Sequence, residues 1–314
     1  MTGFTPPPSP ASAVFYTADV FTRERFGGNP LAVFPDATGL PNELLPRIAR
    51  EFNLSETVFV LPPADPRHTR RMRIFTPGAE LPFAGHPTVG TAFVLATIGA
   101  IPLTGRETRV IFEQGVGPVA VTIRSSDDGT PGFAQLSVAQ LPEFGPPPPP
   151  TAELARVLGL EPEDIMSGRF TAQAVSCGVP FLIVPVRDRE TLGRARVRLD
   201  DLERVLGAYS TSKLFVFCAE PERPGSDYRA RMFAPSLGVP EDPGTGSACA
   251  SFGGYLGKRE SGSDGTRRWV VEQGFEMGRP SFLSVEVDIR GGVIAAVRVG
   301  GDSVLVSRGE FLLP

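Results

Sequence analysis

Arg73-Ile-Phe-Thr-Pro-Gly-Ala-Glu80-Leu-Pro-Phe-Ala-Gly85-His86-Pro-Thr-Val-Gly90-Thr-Ala92 reads as a strand, a loop rich in Pro and Gly, and the beginning of a helix. The chain repeats this grammar in Arg231-Met-Phe-Ala-Pro-Ser-Leu-Gly-Val-Pro240-Glu-Asp242-Pro-Gly-Thr-Gly246-Ser247-Ala248. Arg73, Phe75 and Pro77 recur as Arg231, Phe233 and Pro235. In each copy one polar side chain, His86 or Asp242, stands beside Pro and Gly ahead of a small-residue helix, and the two are read as equivalent. Glu113-Gln114-Gly115 returns as Glu272-Gln273-Gly274, and Gly28-Asn29-Pro30-Leu31-Ala32-Val33 returns loosely as Gly178-Val179-Pro180-Phe181-Leu182-Ile183. Matches about half a chain apart indicate duplication of one fold unit, with a period too long for a solenoid.

The helix after His86 carries Val89, Ala92, Phe93, Val94, Leu95, Ala96 and Ile98 and leaves no polar face. A short helix that is apolar all round is buried on every side. Its counterpart carries Ala248, Cys249, Ala250, Phe252, Tyr255 and Leu256, with Gly253 and Gly254 permitting close approach. Strand patterns dominate the rest, so each helix must be wrapped by sheet. The expected fold class is α+β, with two pseudo-symmetric domains, each a barrel-like sheet around one central helix. Residues 12–145 and 151–314 form these domains, the five prolines at 146–150 a stiff linker, and the C-terminal segment can pack on the first domain. A last strand over Val304 to Ser307 is expected to stand apart from Val293 to Val299.

Composition narrows the function. The 314 residues are 41% apolar and 21% charged, as in a soluble globular protein. With 31 basic against 35 acidic residues and no basic run, neither nucleic acid nor an anionic membrane is an expected partner. No apolar run approaches a membrane span, and the proline-rich start has no signal-peptide pattern, so it reads as a short disordered tail of a cytoplasmic protein. Three scattered cysteines and two histidines give no metal-ligand spacing, so no metal is expected.

The two repeat loops both end at a helix N-terminus, where free N–H groups and a positive partial charge bind anions. Facing each other across a cleft, they would clamp the carboxylate of a small-molecule substrate through Gly85, His86 and Gly246, with Ser247 adding a hydroxyl. Glu56 is the candidate proton carrier: it precedes Val58, Phe59 and Val60, and apolar surroundings raise a carboxyl's pKa toward working pH. A helix N-terminus keeps His86 neutral, whereas Asp242 can stay ionised and hold an ammonium or hydroxyl.

Asp19-Val-Phe, Phe26-Gly-Gly-Asn-Pro30, Asn53-Leu-Ser-Glu56-Thr, Phe75-Thr-Pro, Glu80-Leu-Pro-Phe-Ala-Gly85-His86-Pro-Thr, Glu241-Asp242-Pro-Gly-Thr-Gly246-Ser247-Ala248 and Gln273-Gly with Gly278-Arg279-Pro280-Ser281 together resemble the phenazine-biosynthesis PhzF-like family. The resemblance covers nearly the whole chain. It implies the diaminopimelate epimerase-type fold and an isomerase that needs no cofactor, with Glu56 shuttling a proton and His86, Asp242 and Ser247 as further site positions. The family often forms dimers, so a homodimer is one expected state. Thiol-dependent epimerases of this fold place Cys at the two helix starts; here Cys249 lies beyond, which disfavours thiol chemistry. The rival reading is a non-catalytic small-molecule-binding protein on the same scaffold, which would bind a ligand without exchanging its hydrogen with solvent.

Overall fold

The computed structural model describes residues 12–259 and 264–314. The proline-rich start lies outside the described residues. The first half contains β1 (Ser12–Val20), β2 (Asn29–Phe34), α1 (Leu45–Phe52), β3 (Glu56–Leu61), β4 (Arg70–Phe75), β5 (Glu80–Leu81), α2 (Gly85–Thr97), β6 (Glu107–Gln114), β7 (Gly117–Ser125) and β8 (Pro131–Ser137). The second contains β9 (Glu143–Phe144), α3 (Thr151–Leu158), β10 (Gln173–Ser176), β11 (Pro180–Pro185), α4 (Arg189–Arg194), α5 (Leu199–Leu206), β12 (Leu214–Cys218), β13 (Tyr228–Ala234), β14 (Val239–Asp242), α6 (Gly246–Arg259), β15 (Gly265–Gln273), β16 (Ser281–Arg290) and β17 (Val293–Leu312).

The two halves share one topology, and the fold is α+β. β2 runs parallel to β3, β3 antiparallel to β4, and β4 parallel to β6; β11, β12, β13 and β15 repeat those three relations. In the first half β1-β2-β3-β4-β6-β7-β8 closes through β17, which pairs with both β8 and β1, into an eight-stranded barrel. The second sheet runs β9-β10-β11-β12-β13-β15-β16-β17, and Val138, ahead of β9, donates its N–H to Val297 in β17.

The barrel and the second sheet each wrap the helix that their own half supplies. Every residue of α2 from Gly85 to Ala96 is buried, as are Gly246 and Ala248 to Gly257 of α6. A fully buried Val, Leu or Phe contributes roughly 1.5–3 kcal/mol, so Val89, Val94, Leu95, Phe252 and Leu256 anchor the two helices strongly. The glycines of α6 set how close it can come. A Cβ on Gly254 would lie 2.5 Å from Pro142, and one on Gly253 would lie 2.7 Å from Val285. Outside the barrels, α1 covers Phe34, Phe59 and Phe75, while the three short helices of the second half cover Leu182, Val184, Leu214 and Val216.

One sequence expectation needs correction. The separate strand over Val304 to Ser307 is the continuation of β17. Its Gly300-Gly301 pair reads as a break but is a crossing point. A Cβ on Gly300 would meet the Ala134 carbonyl at 2.5 Å, and one on Gly301 would meet Phe21 at 2.7 Å. Glycine lets the strand pass from one sheet to the other while staying paired.

Candidate active site

The repeated motifs fix the two loops that end at α2 and α6. Arg73 donates to both carboxylate oxygens of Glu80 at 2.7 Å, and Arg231 does the same to Glu241 at 2.8 Å. Each guanidinium also lies over the phenylalanine two residues on, Phe75 or Phe233. The Glu-Gln-Gly repeat supports the opposite side. Glu113 accepts the N–H groups of Ala64 and Asp65, and Glu272 accepts those of Glu222 and Arg223. Gln114 donates to Thr88 in α2, and Gln273 to Thr245 just ahead of α6. A Cβ on Gly115 would collide with Pro82 and one on Gly274 with Pro243, so each loop presses on its glycine.

Anchored this way, the two helix tips touch. A Cβ on Gly85 would lie 2.8 Å from the Ser247 nitrogen and 2.9 Å from Gly246; one on Gly246 would lie 3.2 Å from Gly85. Two like partial charges therefore meet end to end, an arrangement that an anion beside them stabilises. A cleft of about 760 Å³ opens there, lined by Glu56, Gly85, His86, Asp242 and Ser247 among others. Gly246 does not line it; it forms the contact with Gly85 behind.

The structure also corrects the pairing of His86 with Asp242. Ile74 pairs with Leu81 as Met232 pairs with Asp242, so Asp242 is the counterpart of Leu81. With Gly85 matched to Gly246, His86 is the counterpart of Ser247. The sequence comparison matched the loops by their polar residues, whereas the register is set by Glu80 with Glu241 and Pro82 with Pro243.

Glu56 opens β3, after Asn53 ends α1 in the left-handed region at φ 50°. Its carboxylate Oε2 lies 3.5 Å from His86 Nδ1. Asp242 closes β14 and is held by four groups: Asn29 Nδ2 donates to Oδ1 at 3.0 Å, Ser55 Oγ to Oδ1 at 3.2 Å, Thr245 Oγ1 to Oδ2 at 2.5 Å, and Gln273 Nε2 to the backbone carbonyl at 2.7 Å. Asn29 Nδ2 also lies 3.2 Å from His86 Nδ1 and donates to the Gly244 carbonyl at 2.9 Å. Glu56 Oε2 and His86 Nε2 are buried and make no hydrogen bond among the described residues.

These surroundings separate the two acids. Burial raises the pKa of Glu56 well above the usual carboxylate range, and the nearby Asp242 charge raises it further. Burial raises Asp242 too, but its bonds from Thr245, Asn29 and Ser55 oppose that. Of the two, Asp242 is the carboxylate held by several donors, whereas Glu56 is the one whose pKa burial raises well above its ordinary value. Burial lowers the His86 pKa to about 3, leaving a neutral imidazole, against the opposing effect of the Pro30 backbone. The thiol of Cys177, on the cleft wall, is pushed up to about 12 by burial, and that of buried Cys249 is also raised. Neither is a ready nucleophile or base.

Asn29, Ser55, Thr245 and Gln273 were not singled out from the sequence as site residues. The signal for Asn29 was the mismatch with Val179 inside an otherwise repeated motif.

Comparison with known proteins identifies the family. The family model for phenazine biosynthesis-like proteins (PhzC-PhzF) matches residues 18–309. The chain belongs to the PhzF family. An uncharacterized isomerase of Mesorhizobium japonicum is 41% identical over 94% of this chain and 97% of its own. Trans-2,3-dihydro-3-hydroxyanthranilate isomerase of Pseudomonas aeruginosa is 32% identical over 95% of this chain and 99% of its own. The crystal structure of a PhzF-family protein from Bacillus anthracis superposes with a TM-score of 0.86 at 27% identity, covering 96% of this chain and all of the other. The protein is thus an enzyme of an isomerase family. Among the described residues no helix is long and apolar enough to cross a membrane.

Proposed function

We propose that this isomerase moves a proton between two carbons of a small, carboxylate-bearing, amino-acid-like or cyclic substrate, with Glu56 as the sole proton carrier. The observation that carries the reading is a buried carboxyl of raised pKa standing beside two helix N-termini in contact. The substrate carboxylate sits against the N–H groups of Gly85, His86 and the start of α6, with the Ser247 hydroxyl beside it. The ionised Glu56 removes a proton from the carbon next to an unsaturated system, breaking C–H and forming O–H. The electron pair spreads toward the substrate carboxylate, where the helix ends stabilise it. Glu56, whose O–H can exchange with solvent while the proton is held, then delivers a proton to a second carbon and is left ionised again, so nothing is gained or lost overall. Neutral His86 and ionised Asp242 orient the amino or hydroxyl group.

The Pseudomonas relative's named compound, a ring bearing a carboxylate, an amine and a hydroxyl, is the first probe to test. Incubated in deuterium oxide with the wild-type enzyme, this compound or a member of a panel of cyclic and linear amino acids should gain deuterium at carbon. Glu56→Gln should slow that labelling by roughly 10²–10⁴-fold while the protein stays folded. Labelling that survives the substitution would remove Glu56 from the mechanism, and binding without labelling would favour a non-catalytic binder.

A further inference from the structure

Lys213 stands in the second half of the cleft wall where the first half has Glu56. Two registers establish this. Ala32 of β2 pairs with Thr57, as Leu182 of β11 pairs with Leu214. Phe75 of β4 also pairs with Thr57, as Phe233 of β13 pairs with Leu214. Leu214 is therefore the counterpart of Thr57, and the residues before them, Lys213 and Glu56, correspond. Both line the same cleft, one from each half.

Among the described residues Lys213 is the only cationic side chain of that lining, which otherwise carries the acids Glu56 and Asp242. The side chain is half-buried, and burial lowers its pKa. Among the described residues its ammonium makes no ion pair and no hydrogen bond, although its backbone is fixed: its N–H donates to Thr211 Oγ1 at 3.1 Å and its carbonyl accepts from Leu182 at 2.8 Å. A partly desolvated charge without a partner costs stability, and such a cost is repaid where a ligand supplies the counter-charge. The cleft also offers apolar contact through Val179, Phe181, Met232 and Val239. A flexible four-carbon stem can carry the ammonium across it to an anionic group.

We propose that Lys213 is a specificity-determining residue that binds a second anionic group of the substrate, so that the preferred substrate is a dianion. One carboxylate lies at the paired helix tips and the other, across an apolar spacer, at Lys213. This rests on the reading above that a carboxylate occupies the helix tips. The duplicated position has thus diverged into a proton carrier in one copy and an anchor in the other.

The test compares calorimetric affinities of diacids (isophthalate, glutarate) with those of matched monoacids (benzoate, butyrate). Wild-type protein should hold at least one diacid roughly tenfold or more tighter than its monoacid. The ratio should fall to about one in Lys213→Met, stay above one in Lys213→Arg, and drop below one in Lys213→Glu. A wild-type ratio of one, or a ratio that Lys213→Met leaves unchanged, would overturn the assignment while monoacid binding still upheld the helix-tip reading. Failure of every acid to bind wild-type protein would overturn both. Circular dichroism of each variant separates misfolding from loss of the anchor.

Discussion

The two copies of the fold unit keep the same scaffold and differ where they face the cleft. Arg73 with Glu80 and Arg231 with Glu241 form the same clamp; Glu113-Gln114-Gly115 and Glu272-Gln273-Gly274 hold the same loops. By contrast Glu56 corresponds to Lys213, His86 to Ser247, Leu81 to Asp242 and Asn29 to Val179. Symmetry is retained where it positions backbone and abandoned where it would place identical groups around a substrate. The proposed reaction at Glu56 uses that asymmetry: the Asp242 charge opposes ionisation of Glu56, while Asp242 itself is held by hydrogen-bond donors.

The comparison can be broken first at Asp242. Asp242→Asn removes the charge that helps to raise the pKa of Glu56 and should cut turnover by about 10²-fold or more. What turnover remains should have its acidic limb moved to lower pH, since Glu56 then ionises more readily. An unchanged pH–rate profile would mean that the two carboxyls do not sense each other.

The scaffold should be equal in design but unequal in energy. The Arg231 side chain is 4% exposed and also bonds to the carbonyls of Leu192 and Ala195, whereas Arg73 is 25% exposed. Arg231→Leu should therefore destabilise by about 3–5 kcal/mol, leaving Glu241 without its partner. Arg73→Leu should cost about 0–1 kcal/mol. Urea denaturation of the two variants measures the difference, and equal losses would refute the argument from burial.

A further contrast concerns His86. Its pKa falls from an ordinary 6.5 to about 3 on folding. The unfolded chain then binds a proton that the folded protein refuses, so this contribution to stability is full above pH 6.5 and is lost as pH falls toward 3. Thermal melts across that window should fall less steeply for His86→Gln than for wild type. Parallel melting curves would show that the imidazole titrates normally.

Much of this was legible in the sequence because duplication acts on scaffold residues. Arg-x-Phe and Glu-Gln-Gly repeat since each copy needs the same clamp, and an all-apolar helix can only sit inside a sheet. The register of the loops was not legible. Polar residues there have diverged, and matching His86 with Asp242 followed chemistry rather than backbone. The segment Pro131–Ser137 was missed because it lacks alternation: Ala134, Gln135 and Leu136 are buried in succession beside β17. Lys213 passed unnoticed because nothing local distinguishes it; only strand pairing matches it to the position of Glu56.

The protonation of Glu56 tests the central claim most directly. Infrared difference spectroscopy of wild type against Glu56→Gln, scanned across pH, isolates this one carboxyl. The account predicts a carboxylic acid C=O band that persists well above the usual carboxylate range and moves to lower pH in Asp242→Asn. A group already fully ionised near pH 5, with no response to Asp242, would contradict it.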